Sequence, residues 1–240
     1  MLQYSSNQIY TMGKKELAKE SYKKAIQYFE ALEQIYPYGK ESKIAMLDLA
    51  YAYYQNDQND IAIAQLDSFI HTYPTESTLV PYALYLKASI NYKIIDSTML
   101  KITGQNVSER DNTNLIDSYQ SFQEIVNKYP NSNYYSDALK KTKKLLYHLS
   151  EAEIIKARYY MSNQSYLAAI QRSENVITNY PHTQFVEEAL AIIVYAYHKL
   201  HQDHLSSTTQ AILNNNFPNS KYKNHYWSNH SSSWYSFTQE

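Results

Sequence analysis

Cysteine is absent from the whole 240-residue chain. That excludes disulfides, thiolate metal centres and a thiol nucleophile, and it is neutral about the cellular compartment. Glycine is nearly absent: only Gly13, Gly39 and Gly104 occur. Loops that cradle phosphates need several glycines close together so that backbone can approach the ligand, and none can be built here. Net charge is missing too, with 22 basic residues against 23 acidic ones for a formal −1. This balance gives no general pull toward nucleic acid or an anionic membrane. No apolar run approaches the ~18 residues needed to span a bilayer. The opening, MLQYSSNQIYTMGKK, lacks the apolar centre of a secretion signal.

What the chain does have is 44% hydrophobic residues, enough for a globular core, and 27 tyrosines. The tyrosines accompany many Asn, Lys and Ile, a bias that an AT-rich genome produces by itself. Five of the six prolines follow an aromatic residue: Tyr36-Pro37, Tyr73-Pro74, Tyr129-Pro130, Tyr180-Pro181 and Phe217-Pro218. Twelve residues ahead of these prolines stand Ala25, Ala62, Ser118, Ala169 and Ser206, all small. Eight ahead stand Phe29, Leu66, Phe122, Ser173 and Gln210, and five ahead Leu32, Phe69, Ile125, Val176 and Leu213. Gly13, Ala50, Ala157 and Val194 stand twenty-four ahead of four of them, and YAY recurs at Tyr51–Tyr53 and Tyr195–Tyr197. Small residues at fixed points let two helices cross closely, and larger ones fill the space between. Proline cannot continue a helix, so it closes each unit.

The pattern predicts an all-α chain of helix-turn-helix repeats, a tetratricopeptide-type superhelix of about five helix pairs. The repeats cover about 7–37, 38–74, 75–130, 131–181 and 182–218, in a single solenoid over 1–218. The third repeat carries an insertion, DSTMLKITGQNVSERDNTN, between the segments Pro81 to Ile95 and Leu115 to Tyr129. The fourth runs from Tyr134 to Asn163 without a breaker. Residues 219–240 read as a polar, flexible tail whose aromatics could dock on a partner.

In such solenoids the first helix of each pair lines a concave face that binds peptides. The periodicity puts Tyr51, Tyr54, Tyr85 and Tyr92 near that groove, with Lys14 at its edge. A tyrosine offers a flat apolar body and a hydroxyl that can bond a peptide backbone; each could equally be a packing residue between neighbouring repeats. His198, His201 and His204 lie three apart on one segment, but the outer two do not share a helical face, so no metal site is expected. Glu151 and Glu153 beside Lys156 and Arg158 read as solvated charge pairs. No Gly-x-Ser-x-Gly elbow or other catalytic motif occurs, so neither an enzyme nor a cofactor is expected.

Three stretches carry a resemblance to a family: ALEQIYPYGKESKIAMLDLAYAYYQND (Ala31 to Asp57), YPNSNYYSDA (Tyr129 to Ala138) and the SERD (Ser108 to Asp111) that ends the insertion. Together they resemble the BamD family, the tetratricopeptide lipoproteins of the bacterial outer-membrane β-barrel assembly machinery, over roughly Asn7 to Leu213. The resemblance implies a non-catalytic subunit at the periplasmic face of the outer membrane. Its C-terminal repeats would bind the periplasmic domains of a BamA-like barrel subunit. Its N-terminal repeats would bind unfolded barrel precursors, with other lipoproteins of the machinery as further partners. By the same resemblance Arg172, nine residues ahead of Pro181, would make an ionic contact with the barrel subunit, and Arg110 and Asp111 of the SERD motif would belong to a partner contact. Family members carry a lipidated cysteine at the mature N-terminus. This chain has none and begins with Met1 about where the first repeat starts, so a lipid anchor is expected only on a cysteine preceding Met1 in the full gene product. The insertion lacks the aromatic pair and the proline usual around the motif. A different periplasmic adaptor of the same fold, such as one coordinating cell-wall synthesis with envelope constriction, is the alternative.

Overall fold

A computed structural model describes residues 4–99, 113–222 and 227. Among these residues there are ten helices and no strand: α1 (Ser6–Ala18), α2 (Tyr22–Ile35), α3 (Lys40–Gln55), α4 (Asn59–Thr72), α5 (Val80–Met99), α6 (Thr113–Lys128), α7 (Tyr135–Ser162), α8 (Tyr166–Asn179), α9 (Val186–Lys199) and α10 (Asp203–Asn216). The fold is the expected all-α tetratricopeptide type. Odd-numbered helices open the pairs and even-numbered ones close them. Among the described residues, those up to 143 form one compact unit and those from 144 a second, the division falling within α7.

The five aromatic-proline stops have one physical cause. Each aromatic residue still donates its N–H back to a carbonyl four residues earlier: Tyr36 to Leu32, Tyr73 to Phe69, Tyr129 to Ile125, Tyr180 to Val176 and Phe217 to Leu213, at 2.8–2.9 Å. Its own backbone has left the helix, with φ near −130° at Tyr36, Tyr73, Tyr180 and Phe217. That is the extended region into which a following proline forces its neighbour. The aromatic carbonyl then accepts from the N–H three residues on at Glu76, Ser132, Thr183 and Ser220, a turn with proline at its favoured second position.

The turns inside the pairs repeat just as strictly. Glu20, Asp57, Gln164 and His201 all have φ between 57° and 60°, and each stands seventeen residues ahead of its proline. The following residue donates its N–H to a carbonyl five residues back: Ser21 to Glu16, Gln58 to Tyr53, Ser165 to Tyr160 and Gln202 to Tyr197. This is a Schellman end, which glycine usually occupies because an L side chain is strained there. None of the four is glycine.

The core positions read from the proline offsets are filled as expected. All five residues twelve ahead, all five residues eight ahead and all five residues five ahead are buried, Ser173 and Gln210 included. The serines at the small position also bond the facing helix: Ser118 Oγ donates to the Ala88 carbonyl at 2.9 Å and Ser206 Oγ to the Val194 carbonyl at 3.0 Å. Gly13 shows why that helix needs a small residue. A Cβ there would lie 2.5 Å from Cε1 of Phe29. In the first unit, Ile9, Ala25, Ile26, Phe29, Leu32, Ala45, Leu49 and Ala52 form one core cluster. In the second, α7, α8, α9 and α10 share another around Ile154, Ala169, Val176, Ile192 and Leu213.

Two expectations need correction. Helix α5 runs to Met99, four residues past the end assigned to it, so the insertion is shorter than the sequence suggests. The start of the segment read as a flexible tail is packed: Ser220, Tyr222 and Trp227 are buried, the two aromatics in the core cluster of the second unit. Indole and phenol rings bury a large apolar area, and that outweighs the polar composition around them.

Candidate peptide-docking face

In the first unit the opening helices α1, α3, α5 and the start of α7 carry a row of tyrosines tied together by charged groups. At one end, the Asp48 carboxylate on α3 accepts from the Tyr10 hydroxyl at 3.0 Å and the Lys14 ammonium at 2.9 Å, both on α1. Burial, then the charge and hydrogen bond of Asp48, push the Tyr10 hydroxyl far above its usual range. The row continues on α5, where burial pushes the Tyr82 hydroxyl up to about 12, with Asp48, Tyr134 and Tyr51 adding to the effect. The Tyr82 and Tyr134 rings lie 6.0 Å apart and the Tyr134 and Tyr85 rings 4.9 Å apart.

Beyond them lies a second charged cluster. The Tyr85 hydroxyl donates to Asp137 at 2.7 Å and accepts from the Lys141 ammonium at 3.1 Å. The Tyr85 hydrogen bond, together with Lys141, holds the Asp137 carboxyl below its ordinary value although burial opposes this. Lys141 also lies 4.8, 5.8 and 5.2 Å from the ring centres of Tyr85, Tyr92 and Phe122. The ammonium is fixed among π faces and acid oxygens, a partly desolvated setting in which such contacts are strongest.

The residues expected in the groove therefore differ in what they offer. Lys14 is ion-paired but its side chain stays 46% exposed. Tyr51 is half-buried, and its hydroxyl is close enough to Tyr82 to add to that group's upward shift. Tyr54 lies under the Lys93 ammonium at 4.9 Å. Tyr92 shares Lys141. Tyr85 is committed to its neighbours by both hydroxyl and ring, T-shaped against Phe122 at 5.7 Å. Tyr10, Asp48, Tyr82, Tyr134, Asp137 and Lys141 complete the row and were missed. Tyr10 could have been found from its place one helical turn before Lys14.

Elsewhere in the first unit, an open depression of about 550 Å³ is lined by Tyr38, Lys43, Tyr73 and Glu76 among others. Tyr38 is 92% exposed there, and Lys43 pairs with Glu76 and lies over the Tyr73 ring at 5.0 Å.

Arg172 sits on α8 in the second unit. Its guanidinium donates to Glu153 Oε2 on α7 at 3.3 Å, and the side chain is 39% exposed. Glu153 is not the solvated carboxylate expected from sequence. It is buried, and it also accepts from Asn175 at 3.0 Å and Lys156 at 3.0 Å. Burial alone would raise its pKa, but Asn175, Lys156 and Arg172 together hold it below 4.5. Arg158 differs from expectation as well: it grips Glu188 on α9 through two bonds of 2.7 and 2.6 Å, the bidentate geometry that suits a planar guanidinium. Arg110 and Asp111 lie outside the described residues. His198 lies in the last turn of α9, His201 is the left-handed turn residue and His204 lies in α10.

The family model YfiO, described as an outer membrane lipoprotein, matches residues 2–213. The chain belongs to the YfiO family. It is 35% identical over 234 residues to the outer membrane protein assembly factor BamD of Neisseria meningitidis serogroup A, covering 98% of this chain and 87% of the relative. BamD of Haemophilus influenzae is 30% identical over 214 residues, covering 89% and 81%. Among solved structures, the TPR2AB-domain:pHSP90 complex of yeast Sti1 is similar at a TM-score of 0.43 and 12% identity, covering 89% of this chain and 78% of that one. Within the YfiO family match fall the first four repeats, most of the fifth and the whole tyrosine row, while the closing Phe217-Pro218, Tyr222 and Trp227 lie beyond it.

Proposed function

We propose that this protein is a non-catalytic scaffold of the machinery that assembles β-barrel proteins in the bacterial outer membrane, acting at its periplasmic face. The observation that carries this reading is identity of 35% to a BamD across nearly the full length of both chains. The second unit holds the periplasmic domains of a BamA-like barrel subunit, with Arg172 making an ionic contact. One N–H of its guanidinium is used by Glu153 and the group remains partly exposed, so further donors are free to meet a partner carboxylate. The first unit offers its tyrosine row to extended segments of unfolded barrel precursors. Hydroxyls there can bond a peptide backbone and rings can cover its apolar side chains.

Arg172→Gln tests the contact. Charge reversal is the wrong probe, because a carboxylate at 172 would confront the buried Glu153 and disturb the fold. Glutamine removes the charge while Lys156 and Asn175 still serve Glu153. Loss of a charged hydrogen bond at an interface costs about 1.5–3 kcal/mol, so titration against the barrel subunit's periplasmic domains should show affinity down by about 10- to 100-fold. Unchanged affinity with an unchanged helical melt removes Arg172 from the interface.

A further inference from the structure

Lys14, Tyr51, Arg158 and Tyr195 occupy one position of the repeat, twenty-three residues ahead of Pro37, Pro74, Pro181 and Pro218. In the first unit Lys14 and Tyr51 lie on the tyrosine row. In the second unit the corresponding pair is met by the chain's own C-terminal residues. The Trp227 ring lies 6.0 Å from the Tyr195 ring, and the Lys199 ammonium covers the same tyrosine at 5.2 Å. Tyr222 lines a depression of about 270 Å³ with Arg158, Phe185, Glu188 and Lys221, and Lys221 lies over its ring at 4.9 Å. Both aromatics are 8% exposed. Glu188 and Tyr195 are seven residues apart on α9, two turns and roughly 10 Å along one helical face. The two anchors therefore grip the same face two turns apart, in the order of the chain.

The geometry points to a second peptide-docking site on α7 and α9 of the second unit, occupied here by the chain's own Tyr222 and Trp227. Its ligand class is an extended segment that presents two aromatic side chains about two helical turns apart, with a basic residue beside the first to meet Glu187 and Glu188. A segment of another protein with that chemistry competes with the tethered pair. The tether gives the internal ligand a millimolar effective concentration, so the site stays closed to weak ligands and opens when the anchors are lost.

The test uses the full chain and a fluorescein-labelled synthetic peptide of its own residues 219–230. Fluorescence anisotropy should show the Tyr222→Ala, Trp227→Ala double variant binding this peptide about tenfold or more tighter than the unsubstituted chain, because the tethered competitor is gone. Trp227→Phe, which keeps a ring, should lie between the two. Adding Tyr195→Ala to the double variant should abolish the gain, and so should replacing the tryptophan in the peptide by alanine. If the double variant loses its helical melt, Trp227→Phe decides. No gain in either folded variant, or a gain that survives Tyr195→Ala, overturns the site and leaves the two aromatics as packing alone.

Discussion

Gly13 is one of three glycines in the chain, and the Phe29 ring 2.5 Å from its missing Cβ explains its presence. The second repeat solves the same contact differently, with Ala50 and Leu66 at the matching positions, both fully buried. The two solutions predict a coupled pair. Gly13→Ala alone gains helix propensity of about 1 kcal/mol but drives a methyl into a packed ring, an overpacking cost of about 1–3 kcal/mol, so it should lower the thermal midpoint. Phe29→Leu alone leaves a cavity and should also destabilise. The double variant reproduces the second repeat's pair and should melt above the sum of the two single effects. Strictly additive melting temperatures would show that the two side chains do not meet.

Whole helices are tied together by charges whose environment the sequence did not disclose. Glu153 on α7 is held by Arg172 and Asn175 of α8, and its pKa lies below 4.5. A carboxyl with a depressed folded pKa contributes stability above its unfolded value and loses it as pH falls through the folded one. The second unit should thus lose stability from about pH 4.5 downward. Glu153→Gln, weaker at neutral pH, should flatten that acid limb; denaturant melts at pH 7 and pH 3 measure the difference, and parallel limbs would show that Glu153 is not the group responsible. The helices themselves were readable, because proline lacks an N–H and constrains the residue before it, so each stop left a mark from which the buried offsets could be counted. The left-handed turns left no such mark: Glu20, Asp57, Gln164 and His201 stand where glycine would have announced them. Nor did Arg158 and Glu188, thirty residues apart in sequence, whose pairing arises only once α7 and α9 pack. Tyr222 and Trp227 were hidden by a polar, serine-rich context that resembles an unstructured end.

For the molecule as a whole, family membership and the tyrosine row make separate demands, and one experiment can set them apart. A photo-crosslinking amino acid at Tyr51, half-buried on the row, should capture a peptide from the C-terminal strand of a barrel precursor. The same residue at Leu167, 71% exposed on the closing helix α8, should not, since a merely apolar surface lacks the hydroxyls and ammonium groups that can bond an extended backbone. Capture should weaken when Asp48→Asn removes the charge that pairs Lys14 and orients Tyr10. The carboxylate's two partners are 2.9 and 3.0 Å away, so its neutralisation frees the lysine and loosens the row without touching the core beneath. Capture only through Leu167, with Tyr51 silent, would move precursor binding off the first unit's opening helices while leaving the chain in its family; capture at both with equal yield would mean that the row confers no selectivity.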